Sequence, residues 1–548
     1  MSRRLANVKT RREAGLDYVI SQLHLGTPFG KLALKEQKPF FPGEEGQLRE
    51  EFRRIDWMLD LITDEEELHQ DIYAKVFHDM KDISHTITRS KDNVLSVVEL
   101  FELKMLLLGM TRLVDLLKKA KTHIPEEFVP GDVTCLLDLL DPRKDRLGTF
   151  YVYEEFSKKL AELRGEKRQL EISLRKVQKA LKGEIKSDYG VTLTPKLDIT
   201  VSKSDMEEIQ KLSEIPQLEI TDQDYMSITF SLAASSHTDE IRRQMDKINE
   251  ALEAEEERIR EELSREVWKN HHLLLGNCRR IGKLDLTLAK AVYSWKNQCT
   301  QPEISRDYRI EIREGRHLYV EDLLLAREKS YIPISVTLEP GVSCITGANM
   351  GGKTVTLKLV GLIAVMAQYG YFVPAQHAKI GLSSYIQMLI GDSQSLERGL
   401  SSFGSEMEEL KEILDRSKDR SLILIDEIAS GTNPAEGLAL TRSLVEYLKG
   451  KNYITLITTH FDIHTAGTSV ENMQVVGLAN ADFEKLNKEI RYADRKHRID
   501  IIGKYMDYRL TRVRGQGEIP KDALNIAKML GIGDEIIEKA KEYLKENK

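Results

Sequence analysis

The chain has 548 residues, 41% hydrophobic and 31% charged, enough length and apolar content for three or four domains with their own cores. Acidic residues exceed basic ones by seven, which excludes a global positive field that would draw the protein to nucleic acid or an anionic membrane; any DNA contact has to be local. Four scattered cysteines rule out a disulfide framework and fit a reducing compartment. The start "MSRRLANVKTRREAG" lacks the apolar core of a signal peptide, and the most apolar run, Leu359 to Val373, falls short of the roughly 20 residues of a membrane span, so a cytoplasmic protein without membrane association is expected.

In chain order, residues 1–150 read as a helical core domain. In "DNVLSVVELFELKMLLLGMTRLVDLLKKA" apolar residues recur at three and four. Prolines and glycines in "EEFVPGDVTCLLDLLDPRKDRLGTFY" break that pattern, and residues 151–300 follow as a pair of long charged helices around a small tip. The first helix runs from about Glu154 to Lys186. The second is expected to run unbroken from about Asp239 to Trp295, roughly 80 Å at 1.5 Å per residue, with Ile241, Met245, Ile248, Leu252, Ile259, Leu263 and Val267 as a narrow apolar seam. Such a pair reads either as a plain antiparallel coiled coil or as a lever that carries motion over distance. Between the two, period-two runs at 191–201 and 225–231 predict a β-containing tip.

From about Ser305 the texture changes to apolar strands alternating with helices, the pattern of an α/β domain with a largely parallel sheet, assigned to residues 301–518. "GANMGGKT" fits G-x-x-x-x-G-K-[ST] between a strand and a helix. In such a loop the backbone of Gly347, Ala348, Asn349, Met350, Gly351 and Gly352 closes around a β-phosphate. Lys353 brings a point charge to the β- and γ-phosphates, and Thr354 offers a hydroxyl to Mg2+. The expected ligands are therefore ATP and Mg2+. "LILIDE" ends a strand on Asp426 and Glu427, where open α/β sheets hold their ligands; Asp426 would hold the Mg2+ shell and Glu427 would orient the attacking water. His460, at the end of "YITLITTH", is placed to sense the γ-phosphate, although a lone histidine also serves structural ends. "LSSFGSEM" precedes a helix and suits either an anion or a simple N-cap.

"GRHLYVE", "TGANMGGKT", "QYGYFVPA", "LSSFGSEM", "LILIDEIASGTNPAEG" and "TTHF", in this order over some 240 residues, resemble the ATPase domain of the MutS family; "LHLGTPFGK" and the paired long helices resemble its core, lever and clamp. The resemblance implies a multidomain fold: a helical core and long-helix lever with a clamp tip, then an ABC-type P-loop ATPase domain with dimerising helices at 519–548. It implies a composite site in which Ser401 and Ser402 of one subunit close on the γ-phosphate held by the other, and it adds Asn349 to the phosphate grip. Ala348 stands where such proteins usually have proline. The partner would be a second copy or another MutS-like or reactivase subunit. An adenine-stacking role for Tyr331 is left open beside a plain core role.

Mismatch-repair members of that family carry an N-terminal Phe-x-Glu wedge. No phenylalanine in the first 150 residues has Glu two positions later, so no mismatch reader is expected; with the sequence running little beyond the dimerising helices, the nuclease module of some second-branch members is not expected either. From Asp188 to Ser231 three basic residues face nine acidic ones, a net −6 that repels a phosphate backbone. Two loads for the ATPase follow. The expected one is a client protein, with the cobalamin-dependent aminomutase reactivase type suggested by resemblance alone; the alternative is mismatch repair or DNA-structure binding.

Overall fold

The computed structural model describes residues 4–347, 352–391, 402–429, 431–459, 461, 470–478, 480–492, 498, 501–502, 504–512 and 522–546. The chain divides into two compact units. One comprises the chain up to Gln70, Ala120–Ile124 and everything from Gly282 onward; the other comprises Asp71–Lys119 and Pro125–Ile281.

The second unit is mostly helical. Helix Val97–Leu117 starts at a capping box, in which the Ser96 hydroxyl accepts from the Glu99 N–H and the Glu99 carboxylate accepts from the Ser96 N–H. Its apolar face buries Leu100, Leu103, Leu107 and Met110, and among them Lys104 is wholly enclosed. That ammonium is tolerated because Asp141 (3.1 Å), the Thr149 carbonyl (2.9 Å) and the Tyr153 hydroxyl (3.2 Å) all accept from it.

Helices Lys158–Tyr189 and Ser236–Lys269 run side by side. Ser157 donates to Glu255 at 2.7 Å and Arg164 to Glu256 at 2.8 Å. The second of these does not continue unbroken to Trp295: Asn270 ends it, its side-chain amide donating to the Glu266 carbonyl at 2.9 Å, and a new helix runs from His271 to Lys296. At the far end of the pair, strands Asp198–Ser202, Ser227–Leu232 and Leu218–Gln223 form an antiparallel sheet with Ser227–Leu232 in the middle. Ile185, Leu193, Leu212, Ile228 and Phe230 give this tip its own small core.

The first unit is built on a six-stranded sheet ordered Asp507–Arg512, Glu471–Gly477, Gly341–Thr346, Ile454–Thr458, Ser421–Asp426 and Tyr385–Leu389. Only the first pair is antiparallel. Strands buried on both faces read as continuous apolar runs, which "LILI" and "YITLIT" do. Helix Lys353–Gln368 is hydrophobic all round and accordingly buried from Leu359 to Gln368. Its terminal Gln368 amide is satisfied by the Phe40 carbonyl and by both backbone groups of Ser383. A second sheet, ordered Glu303–Ser305, His377–Gly381, Ile310–Gly315 and Ile334–Leu338, completes the α/β part.

The opening of the chain belongs to this unit too. The edge strand Tyr385–Leu389 is covered on its open side by residues 5–14: the Ile386 N–H donates to the Leu5 carbonyl (2.7 Å) and the Met388 N–H to the Thr10 hydroxyl (3.2 Å). Helix Val8–Ala14 is pinned there by Lys9–Glu409 (2.7 Å) and by Glu13–Lys358 (3.0 Å). Nearby, Asp285 of helix His271–Lys296 accepts from the N–H groups of Gly26 and Thr27 and from the Thr27 hydroxyl, fixing the start of helix Pro28–Glu36 in "LHLGTPFGK". Among the described residues no helix is long and apolar enough to cross a membrane.

Candidate active site

Parallel strands in this order bring the ends of Gly341–Thr346, Ser421–Asp426 and Ile454–Thr458 to one edge, with Thr458 level with both Ile345 and Asp426. The chain leaves the first of these through Gly347 at φ +137° and enters the next helix through Gly352 at φ +75°, conformations that favour glycine. A Cβ at Gly352 would stand 3.1 Å from the Tyr508 ring, so this glycine also admits a close neighbour.

Lys353 opens the helix with its side chain buried. Its ammonium donates to the Gly347 carbonyl at 2.9 Å and lies 3.4 Å from a carboxylate oxygen of Glu427. Burial lowers its pKa, and the charges of Glu427 and Asp426 work against that. Beside it the Thr354 hydroxyl donates to one carboxylate oxygen of Asp426 at 2.7 Å, and the Thr458 hydroxyl donates to the other. A buried ammonium, a hydroxyl and two carboxylates thus converge at the strand ends. The ammonium suits phosphate oxygens, and the hydroxyl–carboxylate pair of Thr354 and Asp426 offers the hard oxygen donors that Mg2+ prefers.

The segment after Asp426 is held against its backbone preference. Glu427 (φ 49°) and Ala429 (φ 61°) are both left-handed without being glycine, a conformation that costs about 1–2 kcal/mol per residue. Each has its N–H fixed by a neighbour. Glu427 donates to the carbonyl and hydroxyl of Thr458, both at 3.1 Å. Ala429 donates to the Glu406 carboxylate at 3.1 Å. Glu406 stands on helix Ser402–Arg416, whose Phe403, Met407 and Leu410 pack into the same core as Ile425, Ile428 and Ala429.

Of the residues expected from sequence, Gly347, Gly352, Lys353, Thr354, Asp426 and Glu427 come together here. Ala348, Asn349, Met350, Gly351, Ser401, the Ser402 side chain and His460 lie outside the described residues. The neighbours of His460 are fixed: the Thr459 N–H donates to the Ile345 carbonyl, and the Phe461 N–H to the Thr459 hydroxyl. Tyr331 lies half-buried just before strand Ile334–Leu338, its hydroxyl pushed up to about 12 by burial. Sequence reasoning missed Thr458 and Glu406. Both were inside quoted motifs, but each acts through a strand or loop far away in sequence.

Residues 343–548 match the family model described as MutS domain V. The chain is 34% identical over 289 residues to the endonuclease MutS2 of Clostridium tetani, covering 52% of this chain and 33% of that protein. It is 34% identical over 295 residues to the endonuclease MutS2 of Acetivibrio thermocellus (53% and 34%), and 35% identical over 292 residues to that of Pediococcus pentosaceus (52% and 34%). The matched stretch thus spans about a third of each relative's length. These matches support membership of the MutS family.

Proposed function

We propose that this protein is a MutS-family ATPase that couples binding and hydrolysis of Mg-ATP, at a site completed by a second subunit, to movement of its paired long helices on DNA. The observation that carries the ATPase reading is the convergence of Lys353, Thr354, Asp426 and Glu427 at the strand ends. Lys353 would bind the β- and γ-phosphates, exchanging the Gly347 carbonyl and Glu427 for phosphate oxygens. Thr354 and Asp426 would hold Mg2+, whose charge, when bound, offsets that of the phosphates. Glu427, released from Lys353, would orient a water and accept its proton. Asn349 and the loop around it, His460, and Ser401 and Ser402 from the opposing subunit are assigned to the phosphates on the family resemblance.

DNA as the load is supported by the relatives, which are named MutS2. The aminomutase reactivase suggestion has no such support and is not carried further. The endonuclease in the relatives' name is not carried over, because the match spans about a third of each. One observation still favours a protein client as the second reading. The tip is net acidic, and its turn presents Tyr225, 98% exposed, and Met226, 77% exposed, held out by Asp224, which accepts from the Met226 and Ser227 N–H groups.

The deciding experiment measures binding of duplex and branched DNA by the purified protein at near-physiological salt, together with ATPase turnover. On the DNA reading, affinity falls with salt on a log–log slope that corresponds to several phosphate contacts, and turnover responds to DNA. If neither binding nor a change in turnover is seen, the protein-client reading takes its place.

A further inference from the structure

We infer that Glu406 is a positioning residue for hydrolysis: by holding the Ala429 N–H it fixes the backbone that aims Glu427, and it ties that aim to the helix beginning at Ser402. The inference rests on the ATPase reading and goes one residue further into the same site.

The segment from Asp426 to Ala429 is anchored from two sides. On the strand side, Thr458 takes the Glu427 N–H with its carbonyl and hydroxyl and donates that hydroxyl to Asp426. These bonds fix where Glu427 begins. Two residues later the chain is again left-handed at Ala429, which is fully buried, and the bond that holds it there comes from the Glu406 carboxylate at 3.1 Å. A backbone N–H in that position cannot turn to water, so its acceptor decides which way the segment runs. With both ends held, the Glu427 side chain has a defined departure point close to Lys353.

The acceptor is a carboxylate on a different element. Glu406 lies one turn into helix Ser402–Arg416, and the buried face of that helix shares its core with Ile428 and Ala429. Helix and segment are therefore packed together as well as bonded, and a displacement of the helix start is delivered to Glu427 through Glu406. Partial burial raises the Glu406 pKa, as does the charge of nearby Glu409, and the Ala429 N–H opposes the shift without cancelling it.

The test compares ATP turnover, ATP binding and thermal unfolding in the wild type, Glu406→Ala, Glu406→Gln and Glu406→Asp. Gln keeps an oxygen at the same reach, whereas Asp is one methylene short of Ala429. Glu406→Ala and Glu406→Asp are expected to lower kcat tenfold or more with KM for ATP within about twofold, and Glu406→Gln to retain at least a third of wild-type kcat. Should Glu406→Ala fail to fold, the Gln and Asp pair decides by the same criterion. Equal turnover of Gln and Asp variants would overturn the proposal, as would a loss of kcat accompanied by an equal loss of ATP binding. A wild type that binds ATP without turning it over would instead overturn the ATPase reading, a separate outcome.

Discussion

Single residues make the sharpest commitments. Glu427 lies 3.4 Å from Lys353 and carries a strained backbone. Glu427→Gln removes the proposed proton acceptor and leaves the Lys353 ammonium, proposed to bind phosphate, in place. Equilibrium binding of ATP should be retained, while steady-state hydrolysis falls by about two orders of magnitude or more, as for loss of a general base; undiminished turnover would remove Glu427 from its role. Gly30 makes a different kind of commitment. A Cβ there would stand 2.1 Å from a carboxylate oxygen of Asp285, which already accepts three hydrogen bonds. Gly30→Ala should destabilise by about 1–3 kcal/mol, read as a lowered midpoint in thermal or denaturant unfolding. At this scale the sequence was informative where chemistry is written in a short motif. Lys353, Thr354, Asp426 and Glu427 are legible in "GGKT" and "LIDE", and the fold brings the four together. Thr458, Glu406 and Asp285 were opaque because each works through a partner between 23 and 258 residues away.

Elements are joined by buried ion pairs, and these set how the fold responds to acid. Glu51, on helix Glu45–Asp64, takes a hydrogen bond from the enclosed ammonium of Lys290 at 2.8 Å and another from Arg54 at 3.0 Å. Burial opposes its ionisation, but the two cations outweigh that and hold its pKa down to about 2, against 4.5 for an ordinary glutamate. A depressed carboxylate stabilises the fold above its unfolded pKa, and that contribution is lost as pH falls from about 4.5 toward 2. The amount is about 3 kcal/mol, at roughly 1.4 kcal/mol per pH unit. Glu51→Gln should flatten the loss of stability over this window in urea titrations; an unchanged acid limb would show that the pair contributes little. Helix periodicity was readable here, since "DNVLSVVELFELKMLLLGM" buries the stripe its spacing predicts. The break at Asn270 was not readable, because no proline or glycine adjoins it; the Asn270 backbone and side chain both turn back onto the Glu266 carbonyl there.

At the level of the whole molecule, distant parts of the sequence share one unit. The alternation of strands and helices after Ser305 disclosed the parallel sheet. That residues 5–14 cover its last strand could not be read, because a carbonyl or hydroxyl serving a strand some 380 positions away leaves no local pattern. A fragment beginning at residue 301 loses the Leu5 and Thr10 acceptors and the Lys9 and Glu13 ion pairs, so strand Tyr385–Leu389 becomes an open edge. It should self-associate at micromolar concentration in light scattering, and a synthetic peptide of residues 4–22 should suppress this. A monodisperse fragment would show that the cover is dispensable.

The same cover constrains biosynthesis. Leu5 and Thr10 leave the ribosome long before Ile386 and Met388 exist, and at roughly 5–20 residues per second the wait is on the order of 20–80 s. The first helix is therefore made early and must wait unpartnered, and its cover is already at hand when strand Tyr385–Leu389 emerges.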